Sequence, residues 1–183
     1  AGLVVFFLRA HVVAPKLLDV GGFCNGILAG LVSITAPCGN VESGTAILIG
    51  LVGGLIYQGS SMLQQKLKID DPVDASSVHG AAGIWGVLAA GLFDWGAGFD
   101  HYHGWSGFNC MTNEDGSCQT GIGGKAIGAQ IVLVLAVIVW SGTLSGLTFF
   151  ALKKTGHLRV DEDTEEVGMD MKHHSPSKAY SIA

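Results

Sequence analysis

Long apolar blocks alternate with short polar connections along the chain. Four of these blocks carry no charged side chain, apart from one histidine, and each is about 19 to 27 residues long. About 17 to 25 apolar residues cross a bilayer as a helix, whereas a soluble helix of that length usually has a charged face. We therefore predict an all-α, polytopic membrane helix bundle with four complete transmembrane helices, over 20–41, 43–65, 72–93 and 124–152.

The chain begins inside an apolar run. Residues 1–8 carry no charge, and neither an initiator Met nor a basic segment precedes them. This pattern argues against a secretory signal peptide, which needs a basic segment and a cleavage motif. We expect residues 1–13 to be the end of a transmembrane helix, and the N-terminal part of a longer protein to complete the bundle.

The basic residues predict how the helices cross the membrane. Nine of the ten Lys and Arg side chains fall on alternate connections, and cytoplasmic connections are those enriched in Lys and Arg. We therefore expect an extracellular loop at 94–123 and a cytoplasmic tail at 153–183. The chain is expected to be an integral protein of the lipid bilayer, in the plasma membrane, with its C-terminus in the cytoplasm.

The composition excludes several other classes of protein. Charged residues make up 14% of the chain, and 28 of its 183 residues are glycine. Soluble domains have about a quarter charged residues and about 7% glycine. A disordered chain, a basic nucleic-acid binder and an ordinary cytosolic enzyme are therefore excluded, and no nucleic acid is expected as a partner.

Small and polar residues indicate how the helices pack. Glycines four residues apart let helix backbones approach closely in lipid, and we expect a multi-helix bundle rather than isolated anchors. The spacing recurs at Gly22, Gly26 and Gly30, Gly50 and Gly54, Gly124 and Gly128, and Gly142 and Gly146. Polar side chains that could hydrogen-bond across these contacts are Asn25, Thr35, Gln130, Ser141 and Thr143.

Two cysteines lie in the predicted extracellular loop. Cys110 and Cys118 would close a short loop where oxidation is possible, so a disulfide is favoured over free thiols. Cys24 and Cys38 lie in or at the end of a helix and are interpreted as small apolar packing residues. We predict no metal site and no cofactor, because the candidate ligands of the loop form only a weak cluster: Asp100, His101 and His103.

Acidic residues precede the third complete helix. Asp71 suits its N-cap and Pro72 its first helical position, with Asp74 in the first turn. Negative side chains there are stabilised by the helix dipole. A structural cap is one interpretation of Asp70, Asp71 and Asp74. A cytoplasmic vestibule that attracts cations is the other.

His79 is the ionisable residue of this helix. It follows Pro72 by seven residues, about 10 Å into the helix at 1.5 Å per residue, and such a residue inside the apolar slab is a functional candidate. A neutral imidazole offers one donor and one acceptor, so it could hold a small polar solute. It could equally be a histidine hydrogen-bonded between packed helices. At 100° per residue its face carries small residues: Ala75, Ser76, Ala82, Gly83, Gly86 and Ala90.

Four stretches of the chain form a specific combination. They are the run from Asn25 to Thr35, the run Asp70-Asp71-Pro72-x-Asp74 to His79-Gly80 with Gly83-Ile84-Trp85-Gly86, the run Val139-Trp140-Ser141-Gly142, and the tail Leu158-Arg159-Val160 with Gly168-Met169-Asp170-Met171. In this order and spacing, over nearly the whole chain, they resemble the C-terminal portion of an ammonium transporter of the Amt/Mep/Rh superfamily, in its Amt branch.

The resemblance implies an inverted-repeat bundle that forms a homotrimer, with one pore for ammonium or ammonia in each subunit. It implies that His79 is the second of two pore histidines and that Ala75 and Val78 lie on the pore wall. The first histidine would belong to the N-terminal part of the protein. The alternative is a non-transporting ammonium sensor, or a structural subunit of a membrane complex, with the same fold.

The tail resembles the cytoplasmic regulatory segment of the family, which contacts a neighbouring subunit. Its acidic run, 161–166, is interpreted as solvated. Lys172 stands where plant-like relatives carry a threonine that can be phosphorylated.

Overall fold

The computed structural model describes residues 1–13, 15–93, 113–116 and 125–173, and no strand lies in these ranges. The chain forms two compact units, Ala1–Leu135 and Ala136–Ala183. Its elements are α1 (Gly2–His11), α2 (Val20–Thr35), α3 (Ser43–Lys66), a π-helical turn (Ser76–Ala81) that continues as α4 (Ala82–Phe93), α5 (Lys125–Lys154), α6 (Glu162–Val167) and α7 (Met169–His173).

Three helices in the described ranges are long and apolar enough to cross a membrane: Ser43–Lys66, Ser76–Phe93 and Lys125–Lys154. The helix expected over 20–41 is shorter, because α2 has 16 residues and ends at Thr35. Pro37 contributes to this end, since proline has no N–H to donate to a carbonyl one turn before it, while Ala36 itself keeps a right-handed helical backbone. Residues 36–40 form turns instead.

The core of the first unit lies where α1, α2, α3 and α4 meet. Val5, Ala29, Tyr57 and Ala82 are fully buried there, one from each of these helices. Val78, from the π-helical turn, joins them with 2% of its surface exposed. The turn that carries His79 is therefore anchored in the core by the residue immediately before the histidine.

Glycines determine how closely these helices approach. A Cβ added at Gly86 would lie 2.6 Å from the Ser33 carbonyl oxygen, and one at Gly26 would lie 2.9 Å from Cβ of Val5. Non-bonded carbon atoms are comfortable at about 3.5 to 4.0 Å, so neither position accepts a side chain without movement. The expected close packing therefore holds for α2, whereas a Cβ added at Gly128 would meet no described atom within 4 Å beyond its own stretch of helix.

The tail carries a capped helix. The Asp161 carboxylate accepts hydrogen bonds from the Thr164 amide at 2.9 Å and from the Thr164 hydroxyl, and so caps α6. Arg159 donates two hydrogen bonds to Glu165, at 2.8 and 2.6 Å. The acidic run 161–166 is therefore ordered by its own cap and ion pair, and is not merely solvated.

A second ion pair joins the two tail helices. The Lys172 ammonium of α7 contacts the carboxylate of Asp163 in α6 and donates to the Thr164 hydroxyl at 3.4 Å. Exposed pairs of this kind contribute little individually, about 0 to 1 kcal/mol. The position that the resemblance assigned to a phosphorylated threonine thus carries a cation that binds a neighbouring acid.

Acidification is expected to unfold α6. Hydrogen bonds from Thr164 lower the pKa of Asp161, and the hydrogen bond from Arg159 lowers the pKa of Glu165. A carboxyl whose pKa is lower in the folded state contributes stability above its unfolded pKa, about 4, and loses it as the pH falls through the folded value. We expect the α6 amides to be protected from hydrogen exchange at neutral pH and to lose that protection below about pH 4.

An Asp161→Asn variant is the control for this expectation. Asparagine is an equally good helix cap but does not titrate, so the variant should keep more of its protection in acid than the native tail. Amide exchange measured by mass spectrometry, corrected for the intrinsic rate at each pH, gives the comparison. The same loss of protection in both proteins would contradict the role assigned to Asp161.

Candidate functional site

His79 lies in the π-helical turn Ser76–Ala81. A π-helical turn holds one extra residue compared with the α-helix and is frequently found at functional sites. The sequence interpretation assumed 100° per residue throughout the helix and therefore missed this turn. No signal in the hydropathy pattern marks it, because the residues on both sides of the histidine are small and follow no pattern that separates a π-helical from an α-helical turn.

The π-helical turn changes which residues share a face with His79. His79 and Ala75 are exposed in this chain, whereas Ala82 and Gly86 are buried. The prediction that His79 shares its face with Ala82 and Gly86 is therefore wrong, because the extra residue rotates the histidine away from them. Val78 is also turned into the core, so His79 and Ala75 share the exposed side and Val78 does not.

Asp71 caps the helix, but from a different position than predicted. Its carboxylate accepts hydrogen bonds from the amides of Ala75 and Ser76, at 2.9 and 2.8 Å, and from the Ser76 hydroxyl at 2.6 Å. Hydrogen bonds from Ser76 accordingly lower the pKa of Asp71. Pro72 lies in the turn before the helix and not at its first position. Asp70 is exposed beside it.

Asp74 precedes the helix in a left-handed conformation, with φ of 56°. Its carboxylate turns inwards and accepts hydrogen bonds from the Tyr57 hydroxyl at 2.7 Å and the Ser61 hydroxyl at 2.9 Å. Arg9 contacts the same carboxylate, with Nη2 3.3 Å from Oδ2. Asp74 is therefore part of an internal ion pair, and the prediction that it lies in the first helical turn is wrong.

Arg9 joins this carboxylate to two further segments. Its Nε donates to Oε1 of Gln58 at 2.8 Å, and its Nη1 binds the Asp19 carboxylate. Asp19 in turn caps α2, because its other oxygen accepts from the Gly22 amide at 2.9 Å. The side chain of Arg9 is only 16% exposed. Counting basic residues for membrane orientation gave no sign of this role.

The polar face of α3 contacts the segment that carries His79. Gln64 donates to the Ser77 hydroxyl at 2.7 Å, and its Oε1 lies 2.8 Å from the Ser76 hydroxyl, which is shared with Asp71. The Ser60 and Ser77 hydroxyls are 3.0 Å apart. The polar positions of α3 recur at helical spacing on one face, and that signal could have been found in the sequence: Tyr57, Ser60, Ser61 and Gln64.

Two of the other polar residues singled out in the sequence form hydrogen bonds, and two of the four cysteines lie in the described ranges. Asn25 bonds between segments, since its Nδ2 donates to the Val73 carbonyl at 3.2 Å. Thr35 instead bonds to the Leu31 carbonyl of its own helix. Cys24 and Cys38 are free and exposed in this chain, and their role as packing residues stays a prediction. Several predicted residues lie outside the described ranges: Cys110, Cys118, Asp100, His101 and His103.

Comparisons with known proteins identify the family. The family model described as Ammonium Transporter Family matches residues 1–180. Ammonium transporter 1 member 1 of Solanum lycopersicum is 38% identical over 157 residues, which cover 85% of this chain and 31% of that protein. Ammonium transporter 3 of Dictyostelium discoideum is 37% identical over 158 residues, covering 84% and 34%.

Solved structures agree with this assignment. The crystal structure of Candida albicans Mep2 matches with a TM-score of 0.71 and 27% sequence identity, over 88% of this chain and 34% of that one. The chain therefore spans about a third of the length of the proteins it matches. The match also confirms the prediction of an all-α membrane fold. From its helices and from a family match over nearly its whole length, the chain belongs to the Ammonium Transporter Family, whose members are integral membrane transporters rather than enzymes.

Proposed function

We propose that the complete protein containing this chain transports ammonium or ammonia through a hydrophobic, histidine-lined pore in each subunit of a homotrimer. One observation carries the proposal. In a chain of this family, His79 is the histidine that resembles the second pore histidine, and it is exposed on an ordered turn of a membrane-spanning helix. In this proposal the chain binds ammonium or ammonia as its substrate, and it packs against the N-terminal part of the same protein to complete the pore.

The chemistry of the proposed pore follows from an imidazole beside small side chains. A neutral imidazole has one hydrogen-bond donor and one acceptor, and Ala75 leaves room next to it on the same exposed side. A small polar solute that has lost its water could therefore replace a water hydrogen bond with one to His79. Val78 would support the histidine from the core rather than touch the solute.

The surroundings of the pore complete the proposal. We place the tail in the cytoplasm and the protein in the plasma membrane, on the distribution of basic residues. Asp70, exposed before the π-helical turn, is the acid best placed to attract cations to the cytoplasmic mouth, because Asp71 and Asp74 are engaged in hydrogen bonds. A Cys110–Cys118 disulfide would close the extracellular loop.

The test is transport by the complete protein. It is expressed in a host that lacks its own ammonium transporters, and uptake of isotopically labelled ammonium is measured against an empty-vector control. Saturable uptake above the control is the expected result. Binding of ammonium without uptake would replace the proposal with a sensor, and neither binding nor uptake would leave a structural subunit of a membrane complex.

A further inference from the structure

The direction in which His79 projects depends on the segment before it, and Arg9 is connected to that segment. We propose that Arg9 is a positioning residue which, through Asp74, holds the start of the π-helical turn and thereby sets the direction of the His79 side chain. The effect on transport rests on the proposed function. The effect on His79 itself does not.

The π-helical turn is held at both of its ends. Downstream, Ala82 is fully buried, and Gly86 lies against the Ser33 carbonyl. Upstream, the Asp74 carbonyl accepts the Val78 amide at 2.9 Å. The six residues of the turn therefore fit between two fixed points, and the position of the upstream point decides how the intervening backbone winds.

Asp74 forms the upstream end of the π-helical turn, and its side-chain contacts hold it there. Its left-handed backbone, with φ of 56°, is unfavourable for any residue other than glycine, although aspartate tolerates it better than most. The contacts that hold it come from three side chains on two helices: Arg9, Tyr57 and Ser61. If these three contacts were lost, we expect the Asp74 backbone to return to the ordinary right-handed conformation.

Arg9 is the cation among these contacts. It pairs with Asp19 and Asp74 together, and the exposed fractions of the three side chains are 16%, 35% and 19%. Loss of the guanidinium would leave two partly buried carboxylates without their counter-ion, which is strongly unfavourable. The simplest relief is for Asp74 to turn towards solvent, which releases the upstream end of the turn.

A small change at that end has a large effect on the histidine. If the π-helical turn rewound as a regular α-helix, it would hold one residue fewer. The side chains before the turn would then rotate by about 100° relative to those after it. Binding sites tolerate only about 10 to 20° of misorientation. Arg9 therefore acts on His79 without touching it.

The experiment measures the reactivity of His79 in the complete, purified protein. Diethyl pyrocarbonate modifies exposed imidazoles, and mass spectrometry gives the rate at His79 relative to His157 of the tail. The main variant is Arg9→Gln combined with Asp74→Asn, which removes one positive and one negative charge, keeps the net charge of the cluster, and leaves only the more exposed Asp19 carboxylate without its partner. We expect the relative rate at His79 to change by about threefold or more and uptake to fall about tenfold.

Lys66→Gln is the matched control, because Lys66 is an exposed cation at the end of α3 and should leave both measurements unchanged. A purely structural role for Arg9 would lower thermal stability without changing the His79 rate, and that result in the folded double variant would overturn the proposal. If the double variant does not fold, Arg9→Lys decides in the same way, since its ammonium cannot reproduce the planar fork of arginine. If the wild-type protein moves no ammonium, the proposed function fails while the His79 rates still decide the role of Arg9.

Discussion

Replacing His79 with alanine is expected to reduce saturable ammonium uptake by the complete protein by about 5- to 150-fold. A desolvated polar group that loses its hydrogen-bond partner costs about 1 to 3 kcal/mol. A free-energy difference of that size changes a rate or an affinity by about 5- to 150-fold. His79 lies outside the core of this chain, as Ala75 does, and this leaves the imidazole available to a solute in the proposed pore. The measurement is the initial rate of uptake at several ammonium concentrations.

Two further variants separate the imidazole from general disturbance. His79→Gln retains a side-chain donor and acceptor and is expected to keep part of the flux. His157→Ala removes an exposed histidine of the tail and should leave the flux unchanged. Equal uptake by wild type and His79→Ala, at equal amounts of protein in the membrane, would remove His79 from the transport path.

Replacing Gly86 with alanine is expected to have the largest effect on stability. The new Cβ would lie 2.6 Å from the Ser33 carbonyl oxygen and 3.1 Å from the Ser33 carbonyl carbon. These are backbone atoms, which cannot rotate away, so α2 and α4 must move apart. Overpacking of this kind costs about 1 to 3 kcal/mol, occasionally more. The thermal midpoint of the purified complete protein should fall by several degrees or more.

Gly59→Ala is the matched control for this substitution. Gly59 is also a helical glycine, in α3, but among the described residues no atom outside its own stretch of helix lies within 4 Å of its added Cβ. Alanine is the better helix former, so this variant should be as stable as the wild type or slightly more stable. Equal thermal midpoints for the two variants would contradict the close approach of α4 to α2.

The spans of the long helices could be predicted because the bilayer imposes a simple requirement. An apolar run must be long enough to cross it, and the predicted ranges 43–65 and 124–152 lie within two residues of Ser43–Lys66 and Lys125–Lys154. The end of α2 was missed because hydropathy does not register the N–H that Pro37 lacks. The proline itself was nevertheless visible in the sequence.

The details of the site could be predicted only in part. The capping carboxylate of Asp71 was recognised from residue type and position, whereas the π-helical turn was not, and the role of His79 stays a prediction. Such a turn results from the winding of the backbone between Asp74 and Ala82, which depends on tertiary contacts. Arg9 was missed for a related reason: its partners come from distant parts of the chain, and a single sequence contains no record of that proximity.

The wide sequence separation within the Arg9 cluster has a consequence for biosynthesis. Arg9 bonds to residues 10, 48, 49, 52 and 65 positions further along the chain. During synthesis it therefore meets Asp19 first, the side chains of α3 later, and Asp74 last. In a nascent chain that ends after α3, the Arg9 guanidinium still lacks one of its hydrogen-bond acceptors. Synthesis of Asp74 supplies this last acceptor. Completion of this polar cluster therefore requires synthesis of the segment that begins the helix bearing His79.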